Sequence, residues 1–377
     1  MGQTKVTNGP SFKVLIDEGL AVRGQMSGMG TYMANLVLHL KKFIDCDITR
    51  YPVLHRIPRY IRKWSYIATC NLPRYYEQYD LVHHMANYVP LVKGKNKHVM
   101  TVHDLSIFHY PETVSIAWRH FNAYSFRKSV ERADALIAIS KSIRQEVLAA
   151  FPQLDSRRVF VCYPGVRASI LRSQPDEREV VGSGIEPYTY FLFIGDLTKR
   201  KNLGFAIEAF LNAKRRNLID KQTGFLIIGK KAWGYSEIKR LIMSDPSVQT
   251  LGYLPDEKIA ALYRFAKAFI YPSIYEGFGA PIVEAMSQDV PIILSRIPTS
   301  VELNVAHNNQ MLFFDLGDQE GLIRVLENAN RDHQAIRSRL NYGDLSEYDY
   351  DTVAKHHCEI YKSVLGQGGC VPEMDGR

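Results

Sequence analysis

The chain is predicted to fold as two doubly wound α/β domains, each a parallel sheet covered by helices on both faces. Three observations predict this. Its 377 residues exceed one ordinary domain and suit two. Short apolar runs alternate with helical patterns along most of the chain, as in parallel sheets built from right-handed crossovers. The alternation breaks over 171–187, a charged stretch holding Asp176-Glu-Arg-Glu179 and Gly182-Ser-Gly184.

The elements follow in order. Phe12–Ile16 is a five-residue apolar run of strand length. Gly28-Met29-Gly30-Thr31 then leads into a helical pattern over Gly30–Phe43. Leu81–His84 and His98–Val102 read as buried strands, followed by a helix over Trp118–Ala133. Ala135–Ile139 is a strand, Lys141–Phe151 a helix with Ser140 placed to cap it, and Val159–Tyr163 a strand. The second series has strands at Tyr190–Ile194, Phe225–Ile228, Ser247–Leu251, Phe269–Tyr271 and Val290–Leu294. Domains are therefore expected over 1–170 and 188–347, joined by a linker over 171–187. A last helix over 348–365 can return to the first domain, and 366–377 lacks periodicity and reads as a flexible tail.

Composition narrows the function. With 46% hydrophobic and 23% charged residues, the chain is neither disordered nor a disulfide-dense scaffold. It has no apolar stretch of the roughly 18 residues that a membrane-spanning helix needs. Phe12–Ile16 is too short for a secretory signal, and Val6 breaks the myristoylation pattern begun by Met1-Gly2. Five scattered cysteines without metal-ligand spacing point to reduced thiols and a cytoplasmic setting. Charge is uneven: residues 1–165 hold 22 Lys+Arg against 12 Asp+Glu, and the remainder 25 against 27. Between Asp47 and Glu77 there are six basic residues and no acid, among them Arg56, Arg59, Arg62 and Lys63, interleaved with aromatics such as Trp64. Such a segment serves as a solvated face, as a contact for anionic lipid or phosphate, or as a single-strand nucleic-acid surface.

In open α/β sheets ligands bind beyond the carboxyl ends of strands, and two such domains facing each other would hold a substrate between them. The most informative strand end is Ala268-Phe-Ile-Tyr-Pro-Ser-Ile-Tyr-Glu-Gly-Phe-Gly-Ala-Pro-Ile-Val-Glu-Ala-Met286. Glu276, Gly277, Phe278 and Gly279 form a glycine-rich turn, Pro281 suits a first helical turn, and Glu284 lies about one turn in. The helix start favours an anion, and the two carboxylates can meet different parts of one ligand. After Tyr190–Ile194, Gly195 ends the strand and Arg200-Lys201 precede a helix. Arg grips phosphate bidentately and Lys adds a compact charge, so this loop suits a diphosphate. His103 and Asp104 follow His98–Val102, where a His can bond a ligand hydroxyl. Gly28 and Gly30 suit a flexible loop touching phosphate or acceptor. They lack a full Gly-x-Gly-x-x-Gly fingerprint, and no Gly-Lys-Ser/Thr loop occurs. His83-His84 have no supporting ligands nearby in sequence, so no metal site is expected.

Glu276 and Glu284 within Pro-Ser-Ile-Tyr-Glu-Gly-Phe-Gly-Ala-Pro-Ile-Val-Glu-Ala resemble the motif of retaining, nucleotide-sugar-dependent glycosyltransferases of the GT-B fold, and more narrowly glycosyltransferase family 4. Gly252-Tyr-Leu-Pro-Asp-Glu-Lys-Ile-Ala-Ala-Leu-Tyr263 is similar to that family's nucleotide-site loop and helix, which brings in Leu254. Gly195-Asp-Leu-Thr-Lys-Arg-Lys-Asn202 resembles its Arg-Lys diphosphate loop, although Asp196 stands where many relatives carry Arg. Tyr163-Pro-Gly-Val166 resembles the end of the family's first domain. Val102–Glu112 resembles a segment of its mannosyltransferases.

The resemblance implies two Rossmann-like domains with a cleft between them, acceptor binding by the first and nucleotide-sugar binding by the second. It implies hexosyl transfer with retention, through a front-face mechanism in which the leaving phosphate helps take the acceptor proton. Glu276 would lie by the donor sugar and Glu284 on the ribose. His103 would orient the sugar, while Arg200, Lys201 and the Gly277–Gly279 turn would hold the diphosphate. No cofactor or metal is required. GDP-mannose is the first donor expected, with other GDP-sugars and UDP-hexoses open. The acceptor expected is a lipid-linked saccharide of lipopolysaccharide or polysaccharide assembly. The Arg56–Trp64 segment would contact acceptor or an anionic membrane at the inner face of the cytoplasmic membrane, and no nucleic-acid partner is expected. The alternatives are another enzyme of this fold, such as an epimerase or phosphorylase, and a non-catalytic sugar- or RNA-binding protein.

Overall fold

The computed structural model describes residues 12–17, 28–48, 72, 76–85, 88–90, 92, 94–110, 116–230, 235–252 and 254–367. The chain forms two compact units. One runs to Gly165 and resumes at Tyr350, and the other spans Val166–Asp349.

The first unit is a parallel sheet of β1 (Lys13–Asp17), β2 (Asp45–Ile48), β3 (Leu81–His84), β4 (Lys97–Val102), β5 (Ala135–Ala138) and β6 (Val159–Val161), in the order β2-β1-β3-β4-β5-β6. Its helices are α1 (Gly28–Leu40), α2 (Ser106–His109), α3 (Ile116–Arg132) and α4 (Lys141–Ala150). Ser140 caps α4 by accepting from the Ile143 amide at 3.1 Å. Helix α1 buries Tyr32, Met33, Leu36, Val37 and Leu40, a helical stripe that continues the core of β1 and β3. The final helix, numbered α13 below (Tyr350–Val364), buries Tyr350, Val353, Ala354, Cys358 and Tyr361 in the same core. Burial pushes the Cys46 thiol up to about 11 and Cys358 up to about 12, so these cysteines pack as small apolar groups.

The second unit begins with α5 (Ala168–Leu171) and α6 (Arg178–Val181). The stretch 171–187, read from sequence as a linker, thus contains part of α5 and all of α6 and clusters wholly with the second unit. It is anchored by the buried Val180 and, just before it, by the buried Ile170, whose carbonyl accepts from the Gln288 side-chain amide at 2.7 Å. The charged residues that suggested a linker lie mostly on the outside of these turns.

Strands β7 (Tyr190–Ile194), β8 (Gly224–Ile228), β9 (Val248–Thr250), β10 (Ala268–Tyr271), β11 (Ile292–Ser295) and β12 (Leu312–Phe314) form a parallel sheet in the order β12-β11-β10-β7-β8-β9. Around it lie α7 (Leu203–Arg215), α8 (Tyr235–Ser244), α9 (Asp256–Arg264), α10 (Ala280–Met286), α11 (Pro298–Ala306) and α12 (Gln319–Arg337). The strand order reverses between β7 and β10, so their carboxyl ends diverge into loops on either side of a crevice, the ligand position of doubly wound sheets. Strands β2 and β12 were not expected from sequence. Both are edge strands of three or four residues, and β2 is the polar run Asp-Cys-Asp-Ile.

Candidate active site

The β7 exit carries the first half of the site. After Ile194 the chain runs through Gly195 to a single 3₁₀ turn, Lys199–Lys201, before α7. Asn202 turns the backbone left-handed, with φ of 52°, which Asn tolerates better than most residues. The exits of β7 and β8 pass in backbone contact. A Cβ on Gly229 would lie 1.9 Å from the Gly195 carbonyl oxygen, so only glycine fits there.

The β10 exit carries the second half. The Ile274 amide donates to the Arg200 carbonyl at 2.9 Å, which ties this turn to the 3₁₀ turn. The Thr299 hydroxyl donates to the Glu276 carbonyl at 3.2 Å, and the Ser295 hydroxyl to the Ser273 carbonyl. Gly279 closes the turn at φ of 99°, where an added Cβ would meet the Ile282 side chain at 2.8 Å. Pro281 then stands in the first turn of α10.

The two exits bring Arg200, Lys201 and Glu276 together. Lys201 Nζ lies 2.7 Å from Glu276 Oε1 and Arg200 Nη1 lies 3.0 Å from Oε2. Arg200 also donates to the Tyr275 carbonyl at 2.6 Å. Lys201 donates to the Tyr271 hydroxyl and sits 4.5 Å from that ring's centroid. The Glu276 side chain is 8% exposed, Lys201 11% and Arg200 29%. Burial would raise the Glu276 carboxyl, but the charges of Lys201 and Arg200 outweigh it and hold it below its ordinary value. Burial, reinforced by the like charge of Arg200, lowers the Lys201 ammonium despite Glu276. Two cations share one carboxylate, so these three side chains sum to plus one, and Asp196 on the same loop is close enough to act on Lys201.

Of the other second-unit residues expected in the site, Phe278 points inward. It is buried, with its ring 5.6 Å from that of Tyr348, so Gly277, Phe278 and Gly279 offer a ligand backbone groups only. Leu254 is half-buried in the loop between β9 and α9. Glu284 is buried in α10 beneath a residue the sequence reading did not single out. Arg167 donates from Nε to Oε1 at 2.8 Å and from Nη2 to Oε2 at 2.9 Å, and the Tyr263 hydroxyl donates to Oε2 at 3.2 Å. The signal for Arg167 was present but unread: it is the residue immediately after Tyr163-Pro-Gly-Val166.

In the first unit, His103 follows β4, and its Nε2–H donates to the Met85 carbonyl at 2.8 Å. Burial lowers its pKa, so the ring is neutral near pH 7 and carries its lone pair on Nδ1. Asp104 accepts from the Ser106 amide at 3.0 Å and hydroxyl at 2.6 Å, at the start of α2. Gly28 and Gly30, expected in a flexible loop, lie instead in the first turn of α1, ahead of the buried stripe that starts at Tyr32. His83 is bonded to the Tyr361 hydroxyl at 2.6 Å and Thr101 Oγ1 at 2.7 Å, and His84 to Asp17 at 3.0 Å and His98 at 2.9 Å. These rings are built into the core. Arg56, Arg59, Arg62, Lys63 and Trp64 lie outside the described residues.

The family model "Glycosyltransferase Family 4" matches residues 26–169, and "Glycosyl transferases group 1" matches residues 176–343. The chain is 28% identical to an O-antigen chain mannosyltransferase B of Escherichia coli over 59% of each chain, so the match spans about three fifths of that relative. It is 26% identical to the O-antigen chain mannosyltransferase RfbU of Salmonella typhimurium, over 70% of this chain and 68% of that one. A crystal structure of Anabaena HepE in complex with UDP and glucose superposes with a TM-score of 0.66 at 17% identity, covering 93% of this chain and all of that one. With two family models that together match 312 of the 377 residues and two parallel sheets matching a solved member of the fold, the chain is a family 4-like member of the GT-B glycosyltransferases.

Proposed function

We propose that the protein transfers a hexosyl unit, mannosyl foremost, from a nucleotide diphosphate sugar to a hydroxyl of a lipid-linked saccharide, with retention at the anomeric carbon. The observation that carries this reading is the buried Lys201–Glu276–Arg200 cluster at the β7/β10 switch point. Such a cluster is suited to a ligand that is anionic at one end and becomes cationic at the other. Departure of a nucleoside diphosphate leaves negative charge on phosphate and oxocarbenium-like positive charge on the sugar. Arg200 and Lys201 would take up the first charge without any proton transfer. As they turn toward phosphate, the Glu276 carboxylate they now hold becomes available to the sugar. The nucleoside's ribose would fall to Glu284. Neutral His103, its Nε2–H held by Met85, would accept a sugar hydroxyl at Nδ1 and so orient the ring.

The mannosyl preference and the setting of cell-surface polysaccharide assembly are supported by the Escherichia coli and Salmonella typhimurium relatives. Peripheral attachment at the inner face of the cytoplasmic membrane is supported by the basic, aromatic segment around Arg56–Trp64. Among the described residues no helix is long and apolar enough to cross a membrane. The test is a thermal-shift screen with UDP, GDP, dTDP and ADP and their sugars, followed by product analysis with the best donor. A donor that binds only the folded state raises its apparent stability. Stabilisation by GDP-mannose and formation of a mannosylated lipid-linked acceptor are expected. Indifference to every nucleotide would sink the proposal, and epimerised donor without transfer would replace it.

A further inference from the structure

We infer that Arg167 is a positioning residue that presents the Glu284 carboxylate to the ribose hydroxyls of the donor. This rests on the proposed function, in which Glu284 meets the ribose. Arg167 is the second residue of the second unit, two places after Gly165, where the chain leaves the first. One edge of its guanidinium takes both oxygens of Glu284, at 2.8 and 2.9 Å, and Nη1 on the other side takes Asp256 Oδ1 at 2.5 Å. Asp256 stands in the first turn of α9 and is held in turn by the Ser169 hydroxyl at 2.5 Å. The Glu284 side chain is only 6% exposed.

Three physical points lead from this geometry to the role. A buried glutamate has three side-chain torsions to order, and the two-point fork fixes its plane before any ligand arrives, which lowers the cost of binding. An ionised carboxylate offers about four lone-pair positions. Among the described residues Arg167 and Tyr263 use three, which leaves one for a ligand hydroxyl. The charges also separate the two ends of a nucleotide. Arg167, Glu284 and Asp256 sum to minus one, which repels phosphate and suits neutral hydroxyl donors. Arg200, Lys201 and Glu276 sum to plus one, which suits the diphosphate. Lysine could supply the charge of Arg167 but not the planar fork.

The experiment is calorimetric titration of the full chain with GDP and UDP, each beside its 2′-deoxy and 3′-deoxy form, and with inorganic pyrophosphate. Wild type is expected to prefer at least one ribose form over its deoxy analogue by roughly ten- to hundred-fold, as for a hydrogen bond to a charged acceptor. Arg167→Gln and Arg167→Lys should each bring that preference to within about threefold, with pyrophosphate affinity changed less than about twofold. Arg167→Lys keeps the charge and guards against simple misfolding, and a common melting temperature verifies the comparison. Glu284→Gln separates the two levels of the argument. If it abolishes the preference while both Arg167 variants retain it, the positioning role is overturned and the ribose reading stands. If Glu284→Gln itself leaves the preference intact, the ribose reading falls and takes the inference with it.

Discussion

Glu276→Gln is the most direct test of the crevice, because the substitution keeps the shape of the side chain and removes its charge. The carboxylate sits 2.7 Å from Lys201 and 3.0 Å from Arg200. At an effective dielectric of about 20, each contact amounts to roughly 6 kcal/mol of Coulomb attraction, most of which offsets the desolvation of three buried groups. Removing one partner leaves the others uncompensated, at a cost of about 3–5 kcal/mol. For a unit of this size that corresponds to a melting temperature lower by on the order of 10 °C. The stranded cations should then bind a nucleoside diphosphate more tightly than wild type does. Ligand at about 100 times its Kd contributes about 2.7 kcal/mol, so a saturating diphosphate should restore most of the loss. Turnover behaves oppositely. Without the carboxylate, nothing in the cluster supports positive charge on the sugar, and a loss of about 3 kcal/mol in the transition state lowers kcat on the order of a hundredfold. Differential scanning fluorimetry with and without GDP, beside steady-state kinetics, reads both effects. A variant that melts and turns over like wild type would refute the assignment of Glu276 and the charge balance derived for the crevice.

Replacing Arg200 and Lys201 together with Ala should weaken binding of the nucleoside diphosphate far more than that of the bare nucleoside; equal losses by calorimetry would place the pair elsewhere. Arg56, Arg59, Arg62 and Lys63 changed to Gln should abolish salt-sensitive co-sedimentation with anionic vesicles while soluble GDP binding persists. Each basic residue near an anionic surface contributes about 1 kcal/mol. Vesicle binding unaffected by the four changes would relocate the membrane contact. Burial, with a smaller push from His356, lowers His357 from 6.5 to about 4. The unfolded chain therefore takes up a proton that the folded chain refuses as pH falls from about 6.5 to about 4. Stability present above that window should drop across it by up to about 3 kcal/mol. Urea melts at pH 7, 5.5 and 4.5 should show His357→Gln losing less than wild type; identical slopes would mean another group carries the linkage.

Much of this was legible in one dimension. Buried parallel strands such as Tyr190–Ile194 are covered on both faces, so they appear as unbroken apolar runs, and the alternation with helices then determines the fold class. Glu276, Arg200 and Lys201 were legible because strand ends in such sheets lead to ligands and because their spacing resembles a known motif. Edge strands β2 and β12 were not, since an edge needs little apolar surface. Nor was the place of 171–187, where the one buried residue, Val180, is outnumbered locally by charges. Gly28 and Gly30 looked like a loop because glycine weakens a helix, yet α1 starts at Gly28, ahead of its buried stripe of Tyr32, Met33, Leu36, Val37 and Leu40. Above all, sequence could nominate Glu276 and Glu284 but not their partners. Lys201 is 75 residues from Glu276 and Arg167 is 117 from Glu284. A contact over such distances leaves no local pattern. It exists because the sheet places the exits of β7 and β10 side by side and because the first turns of the second unit pack against α9 and α10. The residue types that can do the chemistry were thus determined by the sequence, and which charge balances which was decided by tertiary structure, because electrostatic energy depends on distance through space and not along the chain.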